Sequence, residues 1–132
     1  MEFQTDGEEV VSTWDPGKDY QGFLDVLHGG IQATMIDEIA SWVVFTVLDT
    51  AGVTFQLHTK YRSPVHISKG SISLRARLVG QKRSIATMQV ELFDGEGKLC
   101  TEGRVEFFIL GKEKAREVFH FPGKEAFFTD IK

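Results

Sequence analysis

The stretch Ile31 to Leu48, which reads IQATMIDEIASWVVFTVL, decides the fold of this chain. It contains neither glycine nor proline, and its apolar residues fall on every face of a helix. At 18 residues it is too long for an ordinary strand, so we predict a single helix. Because this helix is apolar all round, neighbours on several sides must bury it.

Alternating sequences on both sides of this helix predict strands. The clearest is Ser71–Val79, in which Ile72, Leu74, Ala76 and Leu78 share one face while serines and arginines share the other. The other predicted strands are Val10–Trp14, Val53–Tyr61, Ser84–Phe93 and Leu99–Leu110.

Turn-forming residues separate these segments. Gly80–Arg83 and Asp94–Lys98 predict hairpin turns, and Ser63-Pro64 ends the strand that precedes them. Three successive hairpin-like connections imply an antiparallel meander. The segment from Tyr20 to Gly30 shows no periodicity and is interpreted as a loop, while Lys112–Phe119 predicts a short helix.

These elements predict an α+β architecture in which an antiparallel sheet of about five strands wraps around one helix. A single sheet face cannot cover a helix that is apolar on every side. We therefore expect the sheet to curl around the helix and a second copy of the chain to complete the cover. All 132 residues form one predicted domain, with its core at about residues 10–110 and a C-terminal helix or tail at 112–132.

Composition excludes several classes of function. The chain has 15 Lys and Arg against 19 Asp and Glu, which argues against a protein that binds nucleic acid by neutralising phosphates. The longest run free of charges and breakers, Ile39–Leu48, is far shorter than the ~20 residues of a membrane span. The acidic opening Met1–Glu9 resembles neither a secretory signal nor a transit peptide, so we expect a cytoplasmic protein that does not bind membranes.

The cysteine and histidine residues predict no metal site. Cys100 is the only cysteine, and its strand-like surroundings indicate a small buried side chain in a reducing compartment rather than a catalytic thiol. His58 and His66 have no metal-ligand spacing with a cysteine or a pair of carboxylates.

Two adjacent carboxylates interrupt the apolar helix. Asp37 and Glu38 point about 100° apart, so one can reach a solvated edge while the other stays enclosed. An ionised carboxylate among apolar residues costs several kcal/mol without partners, which favours a functional pocket. The alternative is that both carboxylates cap or form salt bridges with a neighbouring chain.

The triplet His28-Gly29-Gly30 precedes the helix and predicts a site for developing negative charge. The amides of a first helical turn have no intrahelical acceptors, and glycines let the backbone approach a ligand closely. Gly29 and Asp37 are eight residues apart, which is roughly 12 Å along a helix. If both act on one carbonyl group, they must come from two chains whose helices run antiparallel across a two-fold axis.

Taken together, these residues resemble the hotdog-fold acyl-CoA thioesterases, in particular the PaaI-like branch of the phenylacetic acid pathway. The resemblance covers about residues 20–110 and rests on His28–Asp37, on Tyr61–Pro64 and on the Phe93–Lys98 hairpin. It implies a hotdog fold, with a five- to six-stranded antiparallel sheet around one long central helix. It also implies homodimers joined by edge strands, here Val53–Tyr61, that assemble further into a dimer of dimers.

The same resemblance implies roles for individual residues. Asp37 matches the catalytic carboxylate, Gly29 the residue whose N–H polarises the thioester carbonyl, and Thr54 a residue that helps to place water. His28 is expected to brace the loop or the ligand path rather than act as a base, and Gly30 to lie beside it.

The chain departs from the family pattern in the loop before the helix. Gly22 stands where many members have an asparagine that contacts the thioester or water, although the neighbouring Gln21 is a candidate substitute. Asp25 stands where a glycine is common. Glu38 shares or takes over the role of Asp37 in an alternative assignment.

A thioesterase of this type acts on acyl-CoA and needs no metal or redox cofactor. Lys82-Arg83-Ser84 is the best basic cluster for the coenzyme A phosphates, followed by Arg62, although plain solvation explains such a cluster equally well. We expect hydrolysis to a free acid and coenzyme A. The alternatives are a non-catalytic acyl-CoA-binding or regulatory protein and a hotdog enoyl-CoA hydratase or dehydratase.

Overall fold

The fold is a six-stranded antiparallel sheet with one long helix packed against it. The computed structural model describes residues 2–6, 9–16, 21–23 and 25–111. In chain order the elements are β1 (Glu2–Asp6), β2 (Glu9–Trp14), β3 (Gln21–Phe23), β4 (Val26–Leu27), α1 (Gly29–Thr46), β5 (Gly52–Tyr61), β6 (Ile72–Lys82), β7 (Ile85–Phe93) and β8 (Leu99–Ile109). The predicted helix Lys112–Phe119 and the tail after it lie outside the described residues.

The strand order of the main sheet is β1-β2-β6-β7-β8-β5, and β3 pairs with β4 in a small separate sheet. Two of the three predicted hairpin connections are present, those between β6, β7 and β8. The third prediction is wrong, because β5 pairs with β8 instead of β6. The segment 62–71, which includes the short 3₁₀ turn Ile67–Lys69, is too long for a tight hairpin and carries the chain past β8 and β7.

The position of one turn and the presence of three short strands also differ from the sequence prediction. The turn between β6 and β7 lies later than the predicted Gly80–Arg83, because β6 continues to Lys82 through an irregularity near Gly80 and the chain turns at Arg83. Strand β1 was not predicted, since its alternation is broken by polar residues. Strands β3 and β4 occupy the segment interpreted as a loop, and they are too short to show a period.

Helix α1 begins at Gly29 and ends at Thr46, two residues earlier at each end than predicted. Its buried residues are Gln32, Met35, Ile36, Ile39, Ala40, Val43, Val44 and Thr46. The prediction of an apolar surface on every side is wrong along one stripe, because Gly30, Thr34 and Glu38 are exposed. These three residues are spaced by four, so they share one face of the helix.

A glycine in β8 sets the height of the helix above the sheet. A Cβ atom on Gly103 would overlap Cγ2 of Ile36, so only glycine permits this approach. Ile36 packs against Gly103 of β8, and the next residue, Asp37, contacts Thr54 of the neighbouring edge strand β5.

Strand β5 is a long exposed edge. Eight of its ten residues are exposed, including Val53 (49%), Phe55 (52%), Leu57 (37%) and Tyr61 (49%). Phe55 packs edge to face with the exposed Phe108 of β8, at 4.7 Å between ring centroids. A monomer rarely leaves such an apolar edge strand uncovered. Among the described residues, no helix is long and apolar enough to cross a membrane.

Candidate active site

The start of helix α1 is capped by a histidine side chain. Nδ1 of His28 accepts a hydrogen bond from the N–H of Gly30 at 2.9 Å, and the His28 carbonyl accepts one from Gln32. This cap explains why the helix includes both glycines despite their low helix propensity. The His28 ring is thereby held against the start of the helix, with Nδ1 as an acceptor.

A groove opens beside Gly29, and we call it the Gly29 groove. It has a volume of about 310 Å³ and is lined by Val26, Leu27, Gly29, Gln32, Tyr61, Arg62, Ser63 and Pro64. The Tyr61 hydroxyl donates a hydrogen bond of 2.7 Å to the Gly29 carbonyl. Tyr61 is the last residue of β5, so the end of that strand lies against the start of the helix.

Asp37 lies at the other end of β5. The Thr54 hydroxyl donates a hydrogen bond of 2.8 Å to Oδ1 of Asp37. Asp37 is partly buried, whereas the neighbouring Glu38 is exposed. The structure thus brings together two of the residues singled out from the sequence, and it distinguishes the two adjacent carboxylates by their surroundings.

The Gly29 groove and Asp37 are separate within one chain. Both residues belong to helix α1, so their separation of eight positions corresponds to about 12 Å along its axis. Their partners on β5, Tyr61 and Thr54, lie at the end and near the beginning of that strand. One chain therefore does not bring Gly29 and Asp37 to the same substrate atom.

The basic residues singled out from the sequence lie in two places, one beside the Gly29 groove and the other at the turn between β6 and β7. Arg62 lines the Gly29 groove and forms an ion pair with Glu102, with Nε and Oε2 2.6 Å apart. Lys82, Arg83 and Ser84 are exposed at the β6–β7 turn, where Arg83 adopts a positive φ of 56°.

The sheet register relates this basic turn to Thr54. Gln81 pairs with Ala86, Ala86 with Phe107, and Phe107 with Thr54. Three strand spacings correspond to about 14 Å. The basic turn therefore lies on the Asp37 side of the same chain and not beside Gly29.

The loop before the helix is held by Asp25. This residue has a φ of 60°, a conformation that favours glycine and is tolerated by aspartate, which accounts for Asp25 at a position where glycine is common. Its carboxylate accepts hydrogen bonds from the Ser68 hydroxyl at 2.6 Å and the Ser68 amide at 2.8 Å. These bonds, together with the nearby His66, lower the pKa of Asp25. The backbone of Gln21 lies in β3, but its side chain lies outside the described residues.

A buried glutamine in the helix was not singled out from the sequence. The Gln32 side chain donates to the Leu27 carbonyl at 3.1 Å and accepts from the Thr101 hydroxyl at 2.5 Å. It therefore connects β4, α1 and β8 directly beneath the Gly29 groove. The sequence did contain a signal for this buried polar side chain, because Gln32 lies one turn before the apolar Ile36 on the same helical face.

The surroundings of Cys100 and His58 do not indicate a catalytic or metal-binding role. Burial is the main cause that raises the pKa of the Cys100 thiol, and the nearby Asp94 carboxylate adds to it, so this thiol is a poor nucleophile. His58 contacts Gln56 at 2.6 Å on the exposed strand β5. No group of three His, Cys, Asp or Glu residues within the described part of the chain is arranged to hold a metal ion.

Comparison with known proteins identifies the family. The model of the thioesterase superfamily matches residues 24–101, which is more than half of the chain. Acyl-coenzyme A thioesterase 13 of Mus musculus is 28% identical over 99 residues, which cover 74% of this chain and 70% of that protein.

Solved structures share the fold. A hypothetical thioesterase protein with coenzyme A from Streptococcus pneumoniae has a TM-score of 0.76 and 24% identity, over 84% of this chain and 86% of that one. A Streptococcus mutans protein bound to acetyl CoA has a TM-score of 0.74 and 18% identity, over 84% and 89% of the two chains. The predicted hotdog architecture is confirmed by the six-stranded sheet with its single helix and by these structures. Because the family model covers more than half of its length and solved thioesterases share its fold, this chain belongs to the thioesterase superfamily.

Proposed function

We propose that this protein is an acyl-CoA thioesterase that hydrolyses an acyl-CoA to a free acid and coenzyme A. The thioesterase family model and the mouse acyl-coenzyme A thioesterase support thioester hydrolysis. The two streptococcal structures, with coenzyme A and acetyl CoA, support acyl-CoA as the substrate class. The observation that carries the proposal is the hydrogen bond from Thr54 to a partly buried Asp37.

This hydrogen bond prepares Asp37 for chemistry at a carbonyl carbon. Thr54 holds Oδ1, and no described residue donates a hydrogen bond to Oδ2, so one oxygen is oriented while the other can meet water or substrate. As a general base, Asp37 takes a proton from water while the oxygen of that water bonds to the carbonyl carbon. As a nucleophile, Asp37 bonds to that carbon directly and forms a mixed anhydride that water then cleaves. In both routes the C–S bond breaks and coenzyme A leaves as the thiolate.

The oxyanion that forms on the carbonyl group requires a donor, and Gly29 supplies it. Its N–H lies in the first turn of α1, where the helix dipole favours negative charge. Since Gly29 and Asp37 of one chain are about 12 Å apart, each site combines Gly29 of one subunit with Asp37 of its partner. The exposed apolar strand β5, which bears Tyr61 at one end and Thr54 near the other, is the edge that joins the two subunits.

The coenzyme A phosphates then lie near the β6–β7 turn of the subunit that supplies Asp37. Gln81, which directly precedes Lys82, Arg83 and Ser84, is about 14 Å from Thr54 across the sheet, a separation that an extended pantetheine arm can span. Arg62 belongs to the Gly29 side and is already paired with Glu102, so its contribution to phosphate binding is smaller.

A thiol-release assay over a panel of acyl-CoAs tests the proposal. Release of coenzyme A with formation of the free acid supports a thioesterase. Saturable binding of acyl-CoA without turnover would instead establish a binding or regulatory protein. Hydration of an enoyl-CoA with the thioester intact would establish a hydratase.

The adjacent carboxylates provide a matched pair of variants. Asp37→Asn should lower kcat by roughly a hundredfold or more, because an amide neither accepts a proton from water nor attacks a carbonyl. Glu38→Gln should have the milder effect, since Glu38 is exposed and the Thr54 hydroxyl donates to Asp37 instead. The opposite order would assign the reaction to Glu38.

A further inference from the structure

The peptide bond between Gly29 and Gly30 is held at both of its polar ends. The Tyr61 hydroxyl donates to the Gly29 carbonyl at 2.7 Å, and the Gly30 N–H donates to His28 Nδ1 at 2.9 Å. Glycine has more backbone freedom than any other residue, so an unrestrained pair of glycines would move at this point. The side chains of Tyr61 and His28 therefore restrain a peptide to which glycine itself leaves more freedom than any other residue.

The Tyr61 ring restrains Gly29 in a second way. A Cβ atom built on Gly29 would lie 3.3 Å from Cζ and 3.4 Å from the hydroxyl oxygen of Tyr61. The ring thus lies directly over the Cα atom of Gly29. Tyr61 is 49% exposed and lies outside the buried apolar core, so core packing does not account for this arrangement.

The Gly29 carbonyl accepts a hydrogen bond from Tyr61, whereas the Gly29 N–H is available to a ligand. Within the described part of the chain, the Gly29 N–H donates to no protein acceptor, whereas the next N–H, that of Gly30, is occupied by His28. Gly29 and Tyr61 line the same groove. The Gly29 N–H belongs to the preceding peptide plane, whose His28 carbonyl accepts the Gln32 N–H at 3.1 Å. With the Gly29 carbonyl and the Gly30 N–H also held, both peptide planes that flank the Gly29 Cα are restrained, and so is the direction of the Gly29 N–H.

We propose that Tyr61 is a positioning residue, which holds the Gly29 backbone so that its N–H is preorganised to bind the oxyanion. This inference rests on the proposed thioesterase function. Tyr61 acts through Gly29 and does not itself touch the reacting atoms. A preorganised donor is effective because it does not have to reorient as charge develops on the carbonyl oxygen.

The variant Tyr61→Phe tests this proposal, because it removes the hydroxyl and keeps the ring over Gly29. We expect kcat to fall about tenfold with KM changed less than about twofold, since the donor loses orientation while the groove keeps its wall. Thr34→Val is the matched control. The Thr34 hydroxyl donates to the Gly30 carbonyl at 2.9 Å in the same helical turn, and its loss should leave kcat unchanged.

An NMR measurement separates this proposal from the proposed function. In Tyr61→Phe, the ¹³C carbonyl resonance of Gly29 should shift upfield and the amide order parameters of Gly29 and Gly30 should fall, whether or not the protein hydrolyses acyl-CoA. Unchanged resonances and order parameters would overturn the restraint. If they change while kcat does not, the contact is only structural and the positioning role is wrong. If wild-type protein turns over no acyl-CoA, the proposed function fails and the positioning role fails with it, while the NMR data still establish the restraint.

Discussion

Subunits carrying Asp37→Asn and subunits carrying Gly29→Val should restore activity to one another when they are mixed. Each homodimer should be inactive, because every site lacks either the carboxylate or access to the Gly29 N–H. A valine at Gly29 places its Cβ 3.3 Å from the Tyr61 ring and its methyl groups in the groove, so it obstructs the carbonyl group of the substrate. Asp37 is unaffected by that change because it lies about 12 Å farther along the helix.

The two-fold arrangement predicts how much activity returns. Random reassociation of equal amounts makes about half of the dimers mixed, and each mixed dimer has one site with an intact Gly29 and an intact Asp37, so about a quarter of wild-type activity should return. The assay is coenzyme A release after co-refolding, with mixed dimers verified by two different affinity tags. A mixture of Asp37→Asn with Asp37→Ala is the control and should remain inactive.

A site contained in one chain would give the opposite result. Mixed dimers of folded variants would then be as inactive as the homodimers, and the argument from the helix geometry would fail. Circular dichroism of each variant, together with the proportion of mixed dimers, distinguishes this result from misfolding or failed exchange.

Other changes test individual contacts. Thr54→Val removes the hydrogen bond to Asp37 and should lower kcat about tenfold with little change in thermal stability, whereas an unchanged kcat would exclude an orienting role. Gly103→Ala forces a Cβ atom into overlap with Cγ2 of Ile36 and should lower the free energy of unfolding by about 1–3 kcal/mol in urea titrations, and no loss would contradict the close helix approach. Burial opposes ionisation of Asp94, but hydrogen bonds from two turn amides and a nearby lysine outweigh it and hold its pKa below the usual range of an aspartate. Its stabilising contribution is therefore present above the pKa of the unfolded aspartate and is lost as the pH falls through the lowered pKa of the folded state, so acid unfolding of wild type should be steeper than that of Asp94→Asn.

Local pattern in the sequence determined the main elements of the fold. The length and composition of Ile31–Leu48 predicted the helix, and strict alternation in Ser71–Val79 predicted the clearest strand. The spacing of Gly29 and Asp37 also predicted their separation within one chain, because the rise of a helix per residue is constant. These inferences succeeded because periodicity and helix geometry depend only on neighbouring residues.

Tertiary structure alone decided which distant residues meet. The contacts of Thr54 with Asp37 and of Tyr61 with Gly29 join residues 17 and 32 positions apart, and both depend on β5 pairing with β8 rather than with β6. No local pattern encodes that pairing, because it follows from the path of the long connection after Tyr61. The sequence therefore proposed the residues of the candidate site, while the sheet order determined which side chains contact Asp37 and Gly29.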